Sequence, residues 1–181
     1  MDAASSEIFD EDHHLVDRFL AGDAVAFQIL YERYYPKVFH IAQGVLLDAE
    51  EAADAVQEIF TLVYRNLARF DRRSKFTTWL YRVAVNRSIQ QGRAARFKYR
   101  HVELTAASER TVEPETTADP EITQAMTLLA PADRAILTLF YWDELSLSEI
   151  AASLDCNENA AKTRLFRARE RFKKTYEAVM S

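Results

Sequence analysis

Glycine is scarce in this chain and never clustered, which limits the folds and binding loops that the chain can form. The 181 residues include three glycines, at positions 22, 44 and 92, and four prolines. A Gly-x-Gly-x-x-Gly dinucleotide loop and a Walker phosphate loop both need clustered glycines that bring backbone N–H groups onto phosphate, so both are excluded. The chain is rich in Ala, Leu, Glu and Arg, which are strong helix formers. With 49% hydrophobic residues available for a core, the sequence predicts a folded, all-α protein.

The composition also argues against several other classes of protein. The single cysteine, Cys156, excludes an internal disulfide framework and a cysteine-rich zinc module. No apolar run approaches the roughly 20 residues that cross a bilayer, and the acidic N-terminus has no hydrophobic signal region. We therefore expect no membrane insertion and a cytoplasmic protein.

Candidate catalytic and metal-binding residues are sparse. None of the four histidines has a partner cysteine at zinc spacing. Glu11 and His14 match one di-iron ligand pair, but that chemistry needs two such pairs inside a packed bundle. Cys156 lies in a predicted turn and is interpreted as a small packed residue rather than a nucleophile. We predict no catalytic site, no metal and no cofactor, and hence a protein that is not an enzyme.

Charge is strongly segregated along the chain, although the net charge is only −5. Residues 1–60 carry a net charge of −10, whereas residues 65–101 contain eleven basic residues and one acidic residue. Residues 102–133 are acidic again, and residues 160–174 contain seven basic residues and one acidic residue. Such basic segments could bind nucleic-acid phosphates. The release of counterions that drives such binding depends on the local cluster of basic side chains and not on the net charge of the whole chain. They could equally be solvated helix faces paired with the acidic segments, and charge alone leaves both readings open.

Apolar periodicity divides the chain into two helical blocks. Helices are predicted over about 23–44, 48–69 and 76–92 in the first block, with breaks at Gly44 and at residues 71–74. Residues 105–120 hold two prolines and few large apolar residues, which is typical of a flexible acidic linker. The predicted organisation is a disordered acidic tail over 1–14, a domain over 15–97, a linker over 98–121 and a second domain over 122–181.

The second block contains a helix-turn-helix pattern. Ser146 can cap a short helix, and Glu149 three residues later completes a capping box. Residues 155–157 then form a turn, in which Asn157 is a good N-cap for a second helix. Turning 100° per residue from Ala161 places a narrow core stripe at residues 165, 168 and 172.

The opposite face of that second helix carries basic, hydroxyl and aromatic side chains. Basic side chains bind phosphates and guanine edges, and Thr and Phe side chains can pack on a thymine methyl group. This face therefore suits the major groove of DNA. The alternative is an ordinary helical hairpin with a solvated basic face. The predicted DNA contacts are Lys162, Thr163, Arg164, Phe166 and Arg167.

At this point the chain resembles a known family, the bacterial sigma factors of the extracytoplasmic-function class. Residues 128–139, 147–154 and 161–169 are similar to their C-terminal domain. The resemblance implies that the predicted contacts of the second helix recognise the upstream, minus-thirty-five promoter element. The chain departs from the family at the turn, where Asp155 stands at a position that is usually Gly, and at Ala160 and Ala161, where the family usually has Thr-Val.

Residues 48–60 are similar to the family helix that docks on the clamp helices of the largest subunit of RNA polymerase. The residues 52, 56, 59, 63 and 67 form its apolar side. A polar, acidic opposite side suits a basic coiled-coil partner, although such a side taken alone is more often simply solvated. The implied polymerase contacts are Asp54, Gln57, Glu58 and Thr61.

Residues 69–87 resemble the family segment that melts the promoter and reads the downstream, minus-ten element as a single strand. Aromatic and basic side chains interleave here, as stacking on bases and holding phosphates would require. Trp79 is interpreted as a core residue. The contacts predicted for the downstream element are Phe70, Arg72, Arg73, Ser74, Lys75, Phe76, Arg82 and Asn86.

The resemblance implies an alternative sigma factor with two helical domains. Its implied partners are core RNA polymerase (through the clamp helices of the largest subunit and the flap of the second-largest), promoter DNA and an anti-sigma factor. Because the linker is acidic and poor in apolar residues, we expect a partner to hold the two domains together when the protein is inactive. Two alternatives stay open: a free-standing helix-turn-helix regulator, and an interaction protein such as an anti-activator with a vestigial DNA domain.

Overall fold

A computed structural model describes the backbone of residues 3–102 and 119–181 and the side chains of residues 11–97 and 119–181. The described backbone is helical and contains no strand, as expected. The N-terminal domain comprises the first four helices, and the C-terminal domain comprises the last four. The helices are α1 Ala3–Leu20, α2 Ala24–Leu46, α3 Ala49–Asn66, α4 Phe76–Val102, α5 Pro120–Thr127, α6 Pro131–Tyr141, α7 Leu147–Ser153 and α8 Glu158–Val179.

The N-terminus differs from the expected disordered tail over 1–14, because α1 begins at Ala3. Asp12 is buried, and it accepts hydrogen bonds from the hydroxyl of Tyr34 and from Arg33 Nη1, the latter at 2.9 Å. Burial raises the pKa of the Asp12 carboxyl, against the lowering effect of these two partners. The acidic composition suggested disorder, but the residues that hold this segment lie on α2, more than twenty positions away. The central part of the predicted linker, residues 103–118, lies outside the described residues.

The N-terminal domain is a four-helix arrangement in which α2 packs against α1, α3 and α4. The apolar stripe predicted for α3 is buried, including Val56, Ile59 and Val63. Gly22 has a φ of 102° and forms the turn between α1 and α2, a conformation that favours glycine. The break predicted from the sequence at Gly44 is absent, because Gly44 lies inside α2, which continues to Leu46.

The C-terminal domain confirms the helix-turn-helix pattern. At the start of α7, Ser146 and Glu149 form the complete capping box, in which Ser146 N–H donates to Glu149 Oε2 at 3.0 Å. The hydrogen bond from the Ser146 hydroxyl lowers the pKa of the Glu149 carboxyl. Asn157 caps α8, its Oδ1 accepting from Ala160 N–H at 2.8 Å. Asp155, at the family's usual glycine position, has a φ of 51° and so adopts the left-handed conformation that favours glycine.

We expect the replacement Ser146→Ala to lower the free energy of unfolding by about 1 kcal/mol, because it removes the acceptor for Glu149 N–H at the start of α7. Urea titration followed by circular dichroism would measure the change. Ser148→Ala is the matched control, since Ser148 is exposed in the same helix. Equal stability of the two variants would contradict the capping role.

The two domains pack directly on each other, through α2 and α4 on one side and α6 and α7 on the other. At the centre, α2 and α6 approach so closely that a Cβ placed on Gly44 would lie 2.5 Å from Thr138 Cγ2 and Oγ1. On α4, a Cβ at Gly92 would lie 3.1 Å from Pro131 Cγ. This contact corrects the expectation that a partner is what holds the two domains together, because here they touch without one. Helix surfaces form the contact, so the composition of the linker carried no information about it.

None of the helices in the described part of the chain is long and apolar enough to cross a membrane. Within the same residues, no group of three or more His, Cys, Asp or Glu side chains is arranged to hold a metal ion.

Candidate nucleic-acid interface

The outward face of α8 exposes all five side chains that the sequence predicted as DNA contacts. The helix is seated by Ala161, Leu165 and Ala168, which are buried. Opposite them, Phe166 is 63% exposed. The exposed set is Lys162, Thr163, Arg164, Phe166 and Arg167.

Two contacts fix the middle of α8 against the rest of its domain. Arg171 donates from Nε and Nη2 to the two carboxylate oxygens of Asp133 on α6, at 2.7 and 2.6 Å. This bidentate geometry also keeps the pKa of Arg171 above its usual value. The guanidinium of Arg169 lies over the ring of Phe140, 4.7 Å from its centroid. The exposed face of α8 is therefore presented by a rigidly held helix.

The side chains predicted to contact the polymerase lie on the outward face of α3 and are exposed. Asp54, Gln57, Glu58 and Thr61 are all exposed along one side of the helix. The carboxylate of Glu58 is not isolated, because Arg87 of α4 donates to it from Nε and Nη2. The Thr61 hydroxyl donates to the backbone carbonyl of Gln57 at 2.8 Å.

Two of the residues predicted to contact the downstream element, Phe70 and Phe76, are buried at 5% and 1% exposure. The two rings pack edge to face with centroids 5.9 Å apart, and Trp79 lies 5.6 Å from Phe70. The prediction of direct base stacking by these two rings is therefore wrong for this structure. The alternation of aromatic residues with arginines predicted DNA binding by the rings. The structure instead places both rings in the core, where they support the loop that connects them.

The loop before α4, residues 71–75, remains at the surface. Arg72 has a φ of 61° and pairs with Asp17 of α1. Asp71 Oδ1 accepts from Arg73 N–H at 3.1 Å, which closes a local turn. Arg73 and Lys75 extend into solvent, and the side chain of Arg73 is 90% exposed. Ser74 is half-buried between them.

Arg82 and Asn86 face the C-terminal domain. Arg82 donates from Nε and Nη2 to the carbonyl oxygen of Ala152 at 3.2 and 3.0 Å, and its Nη1 lies 3.5 Å from Asp155 Oδ1. Asn86, one turn further along α4, is exposed. In this arrangement the guanidinium of Arg82 is bonded to the other domain.

Between the domains lies a cleft of about 580 Å³ that joins the two predicted DNA surfaces. The helix α4 lines one side with Asn86 and Arg93, and α8 lines the other with Arg164 and Arg167. Arg93 belongs to the basic segment seen in the sequence, but nothing in the spacing singled it out as a cleft residue. Only the packing of the domains places it opposite α8.

The sequence also gave no sign of the contact between Asp143 and the residues Lys37 and His40. The side chain of Asp143 is fully buried, and its Oδ1 lies 2.8 Å from Lys37 Nζ and 3.0 Å from His40 Nδ1. These residues are more than one hundred positions apart, so no local pattern could connect them.

Comparison with known proteins matches two separate parts of the chain to family models. Residues 30–97 match the family Sigma-70 region 2, and residues 120–172 match the family Sigma-70, region 4. The chain is 33% identical over 168 residues to the ECF RNA polymerase sigma factor SigW of Bacillus subtilis, an alignment that covers 84% of this chain and 90% of SigW. The chain belongs to the extracytoplasmic-function (ECF) sigma factors. As such, it binds core RNA polymerase and directs promoter-specific initiation of transcription.

Other relatives of this sigma factor agree over nearly its whole length. It is 30% identical over 186 residues to the RNA polymerase sigma-H factor of Pseudomonas aeruginosa, covering 94% of this chain and 96% of the relative. It is 34% identical over 174 residues to the ECF RNA polymerase sigma-E factor of Escherichia coli strain K12, an alignment that covers 88% of this chain and 91% of the relative. Sigma factors are initiation factors rather than enzymes, and the match to both regions leaves the free-standing regulator without support.

Solved structures of the same fold include two complexes. CnrH in complex with the cytosolic domain of CnrY superposes with a TM-score of 0.67 at 23% identity, covering 93% of this chain and 98% of the other. The sigma factor RpoE in complex with the anti-sigma factor NepR from Bartonella quintana superposes with a TM-score of 0.65 at 19% identity, covering 83% of this chain and 96% of the other. At these identities the likeness concerns the fold of the sigma factor.

Proposed function

We propose that the exposed face of α8 reads the upstream promoter element in the major groove of duplex DNA. The observation that carries this proposal is the exposure of all five predicted side chains on a helix seated by Ala161, Leu165 and Ala168. A helix of this kind places basic side chains at phosphates and base edges. The exposed ring of Phe166 and the methyl group of Thr163 supply apolar contacts to thymine methyl groups.

For the downstream element, the loop 71–75 and Asn86 form the contact surface. Arg73 and Lys75 hold the phosphates of the opened strand, and the polar side chains of Ser74 and Asn86 bond to an unstacked base. Arg72 and Arg82 belong to the same surface once their contacts in this structure are released. Phe70 and Phe76 act through the loop that they support, as positioning residues.

The outward face of α3 binds the clamp helices of the largest polymerase subunit, and the C-terminal domain binds the flap of the second-largest. Asp54 and Glu58 supply negative charge to this face, with Gln57 and Thr61 between them. Complementary charge steers and orients such a contact. The polymerase performs the chemistry, so this chain needs no catalytic group or cofactor, and it works in the cytoplasm with the polymerase.

An anti-sigma factor is the proposed negative regulator. Support comes from a solved structure of the same fold, the sigma factor RpoE in complex with the anti-sigma factor NepR, and a second such structure is also a complex, that of CnrH with the cytosolic domain of CnrY. The domain boundaries that fit these roles follow the helices, with α1–α4 for polymerase and downstream DNA and α5–α8 for upstream DNA.

Run-off transcription with core polymerase on a library of random promoters tests the proposal. We expect transcripts only when this chain is added, and enrichment of two short sequence elements at a fixed spacing. Enrichment of a single palindromic duplex site that needs no polymerase would instead indicate a dimeric regulator. No enrichment at all would indicate an interaction protein.

Replacing both Arg73 and Lys75 by alanine should slow open-complex formation by about thirtyfold, because two charge-assisted phosphate contacts of roughly 1 kcal/mol each are lost. Permanganate footprinting of unpaired thymines would measure it. Lys173→Ala is the control, since Lys173 lies on α8 beside Glu177 and far along the chain from the loop. Unchanged melting in the double variant would contradict the assignment of the loop.

A further inference from the structure

The cleft between the domains concentrates positive charge that the protein does not neutralise. It is lined by Arg93 of α4 and by Arg164 and Arg167 of α8, all three of which are exposed. Within the described residues, none of these three guanidinium groups makes a hydrogen bond or an ion pair. A fourth arginine, Arg171, is paired with Asp133, the one acidic residue of the described lining. The described lining therefore carries a formal excess of three positive charges, whose repulsion a bound anion would relieve.

The arginines of α8 form a regular row. Arg164, Arg167 and Arg171 follow each other at intervals of three and four positions, so they lie on one face of the helix, on successive turns. At about 1.5 Å per residue, their Cα atoms are about 4.5 Å and about 6 Å apart along the helix axis. Each guanidinium can bind a phosphate through two parallel hydrogen bonds. This row, with Arg93 on the other side of the cleft, suits a ligand with several phosphates better than a single small anion.

The rest of the cleft is apolar, with two amides at its edge. Ile89 of α4, Ile136 of α6 and Leu154 at the end of α7 form an apolar floor, and the amides belong to Asn86 and Gln90 of α4. A volume of about 580 Å³ lies within the range of small-molecule sites, about 300–1,000 Å³, which combine an apolar lining with a few polar groups. The lining therefore suits a ligand that has a phosphate-rich end and a flat, largely apolar end with polar edges.

The DNA contacts proposed for α8 do not account for this lining. Arg93, Gln90 and the apolar floor belong to α4, α6 and the end of α7, and the sequence pattern assigned none of them to DNA. Side chains from both domains converge on one small cleft, and only a ligand of similar size can contact all of them together.

We propose that the cleft is a binding site for a nucleoside polyphosphate, a nucleotide with two or more phosphates. Arg93, Arg164 and Arg167 bind the phosphates, the apolar floor packs against the base, and the amides of Asn86 and Gln90 bond to the edges of the base. Because Arg164 and Arg167 are also proposed to bind the upstream element, nucleotide and upstream DNA compete for them. That competition rests on the proposed function, whereas the site itself does not.

Isothermal titration of ATP and of GTP into the full chain, without polymerase, tests the site. A salt concentration of about 0.15 M screens the attraction between scattered surface charges. We expect one nucleotide per chain, and binding of either ATP or GTP supports the proposal. The matching nucleoside monophosphate should bind about tenfold more weakly, because it lacks the phosphates that the arginine row binds. Inorganic tripolyphosphate should also bind more weakly than the nucleotide, because it has no base for the apolar floor.

The variant Arg93→Ala should weaken nucleotide binding about tenfold, because it removes the guanidinium on the α4 side of the cleft. Arg93 is exposed and alanine favours helix, so the fold should survive, as circular dichroism would verify. Arg69→Ala is the matched control. It makes the same change in net charge at an exposed arginine of the same basic segment, outside the cleft lining, and should bind nucleotide like the wild type.

The competition is measured on the same proteins by fluorescence anisotropy of a duplex that carries the upstream element. A saturating concentration of the bound nucleotide should raise the dissociation constant for this duplex in the wild type. In Arg93→Ala, the same concentration should have a much smaller effect. Binding of nucleotide and duplex without any mutual effect would show that the two ligands do not share Arg164 and Arg167.

Three results would overturn the site: no binding of either ATP or GTP, equal losses of binding in Arg93→Ala and Arg69→Ala, or tripolyphosphate that binds as tightly as the nucleotide. Failure of the proposed function is distinguishable from all three. In that case the wild-type holoenzyme would show no promoter-specific transcription, whereas the titrations on the free chain would still show the nucleotide site.

Discussion

Charge reversal at Asp54 and Glu58 to arginine is expected to lower the affinity for core polymerase by about a hundredfold, or roughly 2.7 kcal/mol. Both side chains are exposed on α3, opposite the buried stripe that includes Val56 and Val63, so the fold should survive. The reversal would place like charges against a basic partner, which costs more than the loss of an attractive pair. Pull-down with core polymerase and titration of holoenzyme formation would measure the effect.

The salt bridge between Glu58 and Arg87 requires its own control, because reversing Glu58 also sets two arginines side by side. The single variant Arg87→Ala removes the bridge and keeps both acidic side chains, and it should retain polymerase binding. A second control reverses two exposed acids elsewhere, Glu32→Arg with Glu170→Arg, and matches the change in net charge. Normal binding by the Asp54 and Glu58 double variant would show that polymerase docks on another surface.

The replacement Arg167→Ala is expected to cost about 1–3 kcal/mol at particular bases of the upstream element, if its guanidinium makes a bidentate contact with a guanine edge. Lys162→Ala should instead weaken all sequences alike and reduce the salt dependence, as expected for a phosphate contact. Competition binding of holoenzyme to duplexes with single base changes, at several salt concentrations, separates the two effects.

Lys173→Ala serves as the control on the same helix, because Lys173 lies further along α8 and 3.9 Å from Glu177. The comparison uses holoenzyme so that the domain contact does not obscure the difference. Variants at Arg167 and Lys162 that both keep full affinity and sequence preference would refute the assignment of α8 as the reading helix.

The parts of the site that sequence could predict are those determined by neighbours in the chain. The capping box of Ser146 and Glu149, the N-cap at Asn157 and the buried stripe of α8 all depend on residues within a few turns of each other. Their geometry follows from helix periodicity and from the hydrogen bonds that helix ends require. For the same reason the exposed faces of α3 and α8 were predicted correctly.

The predictions that failed concern features that depend on which surfaces, far apart in the sequence, pack against each other. An alternation of aromatic and basic residues does not say which way each ring points, and Phe76 is buried because Tyr34 of α2 and Trp79 pack on it. In α1, the burial of Asp12 depends on Tyr34 and Arg33. The domain contact depends on Gly44 and Thr138, which are almost a hundred positions apart and belong to different domains.

The fit of Thr138 against Gly44 has a thermodynamic consequence for every molecule that recognises the separated domains. Such a molecule must supply the free energy of opening, so its apparent dissociation constant exceeds the intrinsic one by the inverse of the open fraction. Once one of them has bound, the next no longer bears that cost. Polymerase and upstream DNA would then favour each other's binding by the same factor, without touching, since such coupling is reciprocal. The absence of one methyl group on α2 would contribute to the strength of this cooperativity.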